Sequence, residues 1–157
     1  MSYDFNADEI FEMAEQIEKN GVKFYTESAE KITDPASKKL LLDLAAMEVE
    51  HEKVFASMRA QLTEKEKSAT IFDPEGEAAL YLRALADVRV FFEKKIDTTS
   101  MKEIIKAGIA AEKDSIVFYL GMKEAVPEGL GQKRIDAIIK EEMKHIRLLS
   151  KELVVLK

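Results

Sequence analysis

Glu48-Val49-Glu50-His51 lies in the middle of an unbroken helix-forming run, 35–62, and decides how the rest of the chain is read. A glutamate and a histidine three residues apart stand one turn apart on the same helical face. That face also carries Leu41, Leu44, Phe55, Met58 and Leu62, so it is the apolar, core-facing stripe. Further along, Glu142-Met143-Lys144-His145 repeats the pattern between Ile135, Ile138 and Leu149. The chain contains 2 histidines, and both have a glutamate three residues upstream.

Moving outward from the two motifs, a shift of 94 residues superimposes one half of the chain on the other. Glu48 falls on Glu142, His51 on His145, Glu18-Lys19 on Glu112-Lys113 and Phe24-Tyr25 on Phe118-Tyr119. Glu18 belongs to the stripe Phe11, Ala14, Gly21, Tyr25, Ser28, Ile32, and Glu112 to the stripe Met101, Ile105, Gly108, Ser115, Tyr119, Met122. The chain thus reads as two copies of one helical hairpin, each with the same polar group at its waist. Glu18 and Glu48 are 30 residues apart about a turn at Thr33-Asp34, and Glu112 and Glu142 are 30 apart about the Pro127 break. Helices rise about 1.5 Å per residue, so each pair of glutamates returns to the same height.

Turn and cap residues set the boundaries. Asp34-Pro35 and Asp73-Pro74 are N-cap residues followed by proline at the first helical position. Asn6 with Glu9 and Ser100 with Glu103 have capping-box spacing. The spacing predicts helices over 7–32, 35–62, 100–125 and 132–154, with a crossover helix over 75–95. A crossover of roughly 20 residues spans about 30 Å, enough to carry the chain back to the far end of a bundle. The second and third bundle helices would then run parallel, with one long connection. Residues 63–74 offer a route to domain swapping.

Composition excludes much else. The chain has 157 residues, enough for one domain with a real core, and 1–157 is read as a single domain. Three prolines and six glycines are too few for a sandwich or barrel. With no cysteine there is no disulfide, iron–sulfur cluster, thiolate zinc site or cysteine nucleophile. No stretch is long and apolar enough to span a membrane, and the N-terminus lacks the pattern of a signal peptide. A net charge of −6, spread along the chain, leaves no basic stripe for nucleic acid. A soluble cytoplasmic protein is the expectation.

Four carboxylates at one depth in an apolar bundle are costly unless something neutralises them. Ionised, Glu18, Glu48, Glu112 and Glu142 carry four negative charges, which two divalent cations cancel. Mixed carboxylate and imidazole donors suit iron, manganese or zinc. The candidate ligands are therefore Glu18, Glu48, His51, Glu112, Glu142 and His145. Glu141 adjoins Glu142 and stands four residues before His145, but the 94-residue repeat favours Glu142.

One glutamate on each of two helices and Glu-x-x-His on each of the other two resembles the ferritin-like dimetal carboxylate proteins. Within that group, Glu18-Lys19-Asn20-Gly21-Val22-Lys23-Phe24-Tyr25 is similar to the E-x-x-G-x-x-F-Y signature of the rubrerythrin family. The two E-x-x-H motifs and Glu112 match that family in order and spacing, over nearly the whole chain. The resemblance implies an all-α, ferritin-like four-helix bundle with one long crossover containing an additional helix. It implies two metal ions, most naturally iron, bridged by Glu48 and Glu142, with Glu18 and Glu112 outermost and one histidine on each. Tyr25 and Tyr119 would be hydrogen-bond donors to the ligands or oxidation-sensitive neighbours. Reaction with hydrogen peroxide or O₂ is the implied activity. Rubrerythrins carry a cysteine-ligated rubredoxin domain, and with no cysteine here the electrons are expected from an external donor protein. The additional rubrerythrin glutamate three residues after Glu112 is replaced by Ser115, which points to six ligands rather than seven.

The remaining expectations are plainer. Glu15, Glu50 and Glu52 are read as solvated, and the 7 methionines as gap fillers. The apolar run Val88, Val90, Phe91, Phe92, Ile96 and the tail 153–156 are read as faces of a homodimer. The competing functions are iron storage without catalysis and a structural bundle holding zinc.

Overall fold

The structure, a computed structural model, describes residues 7–62, 100–125, 129 and 131–156. Four long helices make up nearly all of it: α1 (Ala7–Glu30), α2 (Pro35–Ala60), α3 (Met101–Ala125) and α4 (Gln132–Val155). They agree with the expected spans to within two residues. The differences lie at C-termini, where α1 and α2 each close in a tighter turn. There Lys31 N–H donates to Ser28 at 3.1 Å and Leu62 N–H to Arg59 at 3.2 Å. Such i→i−3 bonds satisfy carbonyls that a fraying helix would leave open. The 75–95 crossover helix, the 63–74 segment and the run from Val88 to Ile96 lie outside the described residues.

Two starts behave as the caps predict. Asp34 accepts from Ser37 N–H at 2.9 Å, ahead of Pro35 in the first turn. Ser100 Oγ accepts from Glu103 N–H at 3.3 Å. The start of α4 is different. Gly131 adopts φ 94° and offers no side-chain cap, while its carbonyl accepts from both Arg134 and Ile135 at 3.0 Å. A Cβ at this position would sit 2.3 Å from the Met58 methyl, which a flexible methionine can withdraw, so it is the left-handed backbone that favours glycine here.

Helix directions follow from contacts between the two halves. Tyr25 of α1 bonds Glu112 of α3, and Tyr119 of α3 bonds Glu18 of α1, so these helices run antiparallel. Short turns make α1 and α2, and α3 and α4, antiparallel hairpins. Hence α2 and α3 are parallel, as the crossover argument requires. Leu62 and Ser100 then lie at opposite ends of the described helices, which are about 36 Å long.

All four stripes face inward. One heptad to one side of the glutamates stand Tyr25, Leu41, Ile105 and Leu149. One heptad to the other stand Phe11, Phe55, Tyr119 and Ile135, and all eight are fully buried. Burying each such side chain contributes roughly 1.5–3 kcal/mol, so two oily layers clamp the polar one between them. Leu156, in the tail read above as a homodimer face, is exposed, as are Val154 and Val155. Leu149 packs level with Gly108, and seven residues later Leu156 reaches the level of Met101, where α3 begins and the packed layers stop. Among the described residues, no helix is long and apolar enough to cross a membrane.

Candidate metal centre

The structure brings all six sequence-derived candidates together. Glu18, Glu48, His51, Glu112, Glu142 and His145 are each 3% exposed or less. They form two overlapping quartets, Glu18–Glu48–His51–Glu142 and Glu48–Glu112–Glu142–His145, whose donor atoms lie within 4.8 Å of one another. Glu48 and Glu142 belong to both.

The atoms divide cleanly between the quartets. His51 Nδ1 lies 3.0 Å from Oε1 of Glu142 and 3.5 Å from Oε2 of both Glu48 and Glu18. His145 Nδ1 lies 3.0 Å from Oε2 of Glu142 and 3.3 Å from Oε1 of both Glu48 and Glu112. Each shared carboxylate therefore turns one oxygen to each histidine. The two imidazoles stack with centroids 5.5 Å apart and planes 15° from parallel.

The tyrosines exchange partners across the repeat. Tyr25 donates to Glu112 Oε1 at 2.6 Å, and Tyr119 donates to Glu18 Oε1. Each phenol thus ties down the outer glutamate of the opposite hairpin; Glu18 then turns its second oxygen to His51, whereas Glu112 meets Tyr25 and His145 through the same Oε1 and leaves Oε2 unpartnered. Gly108 makes room on one side, where an added Cβ would stand 3.3 Å from the Tyr25 oxygen. Ser115, at the position of the additional rubrerythrin glutamate, turns its hydroxyl to the Ala111 carbonyl at 3.0 Å.

Two contacts at the histidines are not visible in helical spacing. Glu141 does not join the cluster beside Glu142. It accepts from His51 Nε2 at 2.7 Å, across the bundle on α2. His145 Nε2 meets the Met47 sulfur at 3.2 Å, so this methionine is more than a gap filler. Glu15, expected in solvent, is buried against Arg59 at 3.1 Å, and the same guanidinium also grips Asp8. A pair of positions 94 residues apart, Met47 and Glu141, was the available signal for the histidine contacts; none marked Arg59.

Within the cluster, Glu48 and Glu142 (both oxygens), Glu112 Oε2 and His51 Nδ1 are buried without a hydrogen-bond partner. Buried polar atoms are rarely left so, and each unsatisfied one costs about 1–3 kcal/mol. Four carboxylates, two imidazoles and free lone pairs aimed at two points fit a pair of divalent transition-metal ions.

Protons perform the neutralising role in the metal-free state. Burial, reinforced by the Glu48 charge, pushes the Glu18 carboxyl up to about 8. Burial and the Glu142 charge likewise hold Glu112 well above the usual range. Burial pushes both imidazoles down, but the surrounding carboxylates outweigh it and hold them well above an ordinary histidine. Near pH 7 the two histidines and Glu18 hold protons that metal must displace, and the upward shift of Glu112 adds to them. Loading two divalent ions should therefore release several protons per chain. Calorimetry in buffers of different ionisation enthalpy measures that number, and a value near zero would contradict this charge balance.

Fold and site together define a helical bundle of the dimetal-carboxylate class. The sequence model of the rubrerythrin family matches residues 9–153. The chain belongs to the rubrerythrin family. Over 100% of both chains it is similar, with a TM-score of 0.74 and 25% identity, to the crystal structure of a ferritin-like diiron-carboxylate protein from Thermotoga maritima. No curated protein matches the chain.

Proposed function

We propose that the cluster holds two iron ions and that the loaded protein is an oxidoreductase. It reduces hydrogen peroxide or O₂ and takes its electrons from a separate donor protein. The observation that carries this reading is the position of Glu48 and Glu142, which turn one oxygen toward each histidine and so could serve two neighbouring ions at once. When bound, two ferrous ions supply the two electrons that turn H₂O₂ and two protons into two waters.

The protein's part is positioning and exclusion. Glu48 and Glu142 would be shared by the two ions, while Glu18 with His51 and Glu112 with His145 would complete the two sides. Tyr25 and Tyr119 keep the outer carboxylates turned inward. Apolar layers above and below keep bulk water from the waist and strengthen every charge interaction there.

Protein loaded anaerobically with two equivalents of Fe(II) and mixed with peroxide in a stopped-flow should oxidise its iron many times faster than free Fe(II). Oxidation no faster than that of free iron would rule out the redox reading. Elution as a cage-sized assembly would redirect it to iron storage, and zinc as the metal retained after purification would redirect it to a structural role.

A further inference from the structure

The internal repeat makes positions 47 and 141 equivalent, since they are 94 residues apart and each precedes a bridging glutamate. Each also touches Nε2 of the other hairpin's histidine. Their chemistry is not equivalent: one is a carboxylate and the other a thioether. We propose that Glu141 makes the two metal positions unequal, so that the ion beside His51 is held more tightly and fills first. This rests on the dimetal reading above.

In both histidines Nδ1 is the nitrogen that faces the carboxylates, at 3.0 Å from Glu142 in each case. A metal ion taken up there leaves the proton on Nε2, and that N–H needs an acceptor. At His51 the acceptor is the Glu141 carboxylate at 2.7 Å, a charge-assisted bond. It would fix the tautomer, hold the ring in its orientation and make Nδ1 a stronger donor to a bound ion. At His145 the acceptor is the sulfur of Met47 at 3.2 Å, among the weakest acceptors a side chain offers. The ligand sets otherwise match in residue type, two shared glutamates plus one outer glutamate tied to a tyrosine on each side, although Glu112 meets its tyrosine and histidine through one oxygen and Glu18 through two. Glu141 and Met47 are therefore where the two sides differ in chemistry.

Removing the acceptor behind a ligating histidine typically weakens metal binding 10–100-fold. The Glu141 side chain is 51% exposed, and water screens part of its charge. The lower end applies, a difference of about tenfold between the two positions. Because Glu141 acts through His51 and does not reach the ions, it is a positioning residue.

The experiment titrates the metal-free, full-length protein with Co(II) under anaerobic conditions. Calorimetry and the visible d–d spectrum report each equivalent. Wild-type protein should take up two ions in two resolved events about tenfold apart in affinity, with distinct spectra for the first and second equivalents. Glu141→Met should weaken the tighter event and draw the two together. Glu141→Asp should restore part of the gap, and Glu141→Gln, which keeps an acceptor without the charge, should fall between. Met47→Glu should instead strengthen the weaker event. Two ions bound indistinguishably by wild-type protein, or equal weakening of both events in Glu141→Met, overturns the proposal and leaves the dimetal reading standing. Uptake of fewer than two ions overturns both.

Discussion

Filling the centre with two divalent ions should raise the unfolding midpoint of the metal-free protein by ten degrees or more. A ligand that binds only the native state stabilises it by RT ln(1 + [L]/Kd), about 4 kcal/mol when free metal is a thousandfold above Kd. For a chain of this size each kcal/mol shifts the midpoint by about 2–4 °C, so one filled position is worth about 8–16 °C. The unfolded chain cannot gather Glu18, His51, Glu112 and His145 around two points, so the effect belongs to the native state. The gain should also depend on pH, with a definite sign. In the metal-free protein the Glu18 carboxyl is raised from 4.5 to about 8. Between those values Glu18 holds more of its proton in the native state than in the unfolded state, so its contribution to stability is greatest below pH 4.5 and is lost as pH rises through 8. Bound cations take the place of those protons, so the loaded protein escapes the loss and the gap in midpoint widens from pH 5.5 to 8. Thermal melts with and without chelator at both pH values test this. A midpoint indifferent to metal would mean that the cluster does not bind it.

Replacing Glu48 by glutamine should cost the protein both ions, whereas Glu18→Gln should cost it one. Glu48 presents Oε2 on the His51 side and Oε1 on the His145 side. An amide keeps one oxygen of the two, puts an N–H₂ donor where the other ion needs a lone pair, and removes a negative charge that both ions share. Glu18 belongs to the His51 quartet only. Elemental analysis after reconstitution should give near zero metal per chain for Glu48→Gln and about one for Glu18→Gln. Equal losses in the two variants would show that Glu48 does not bridge. Both substitutions are nearly isosteric and bring no new charge into the core, so the metal-free variants should keep the helical content of the parent.

The centre was legible because two independent regularities converge on it. Helical spacing put Glu48 with His51, and Glu142 with His145, on core-facing stripes. The 94-residue repeat then chose Glu18 and Glu112 as partners, and symmetry about the Thr33-Asp34 turn set Glu18 and Glu48 at one height. These arguments use only position along a helix and need no knowledge of which helix stands opposite. Where the opposite helix matters, they fail. Glu141 was weighed as a neighbour of His145 on its own helix and instead bonds His51 on α2. Glu15 looked solvated from its own turn, but Arg59 arrives from α2 to cover it. The tyrosines were placed on the correct faces, yet each hydroxyl reaches the other hairpin's glutamate. Period and spacing report a face, whereas a partner is set by packing between helices distant in sequence.

Each quartet of candidate ligands draws on both halves of the chain, and neither hairpin alone supplies a complete set. Two identical hairpins meeting as separate molecules would assemble the same six residues, but every position would then be obliged to match its twin. Covalent fusion lifts that obligation. Once both copies lie on one polypeptide, a carboxylate can stand at 141 while a thioether stands at 47, and a centre built from two equivalent halves acquires a left and a right.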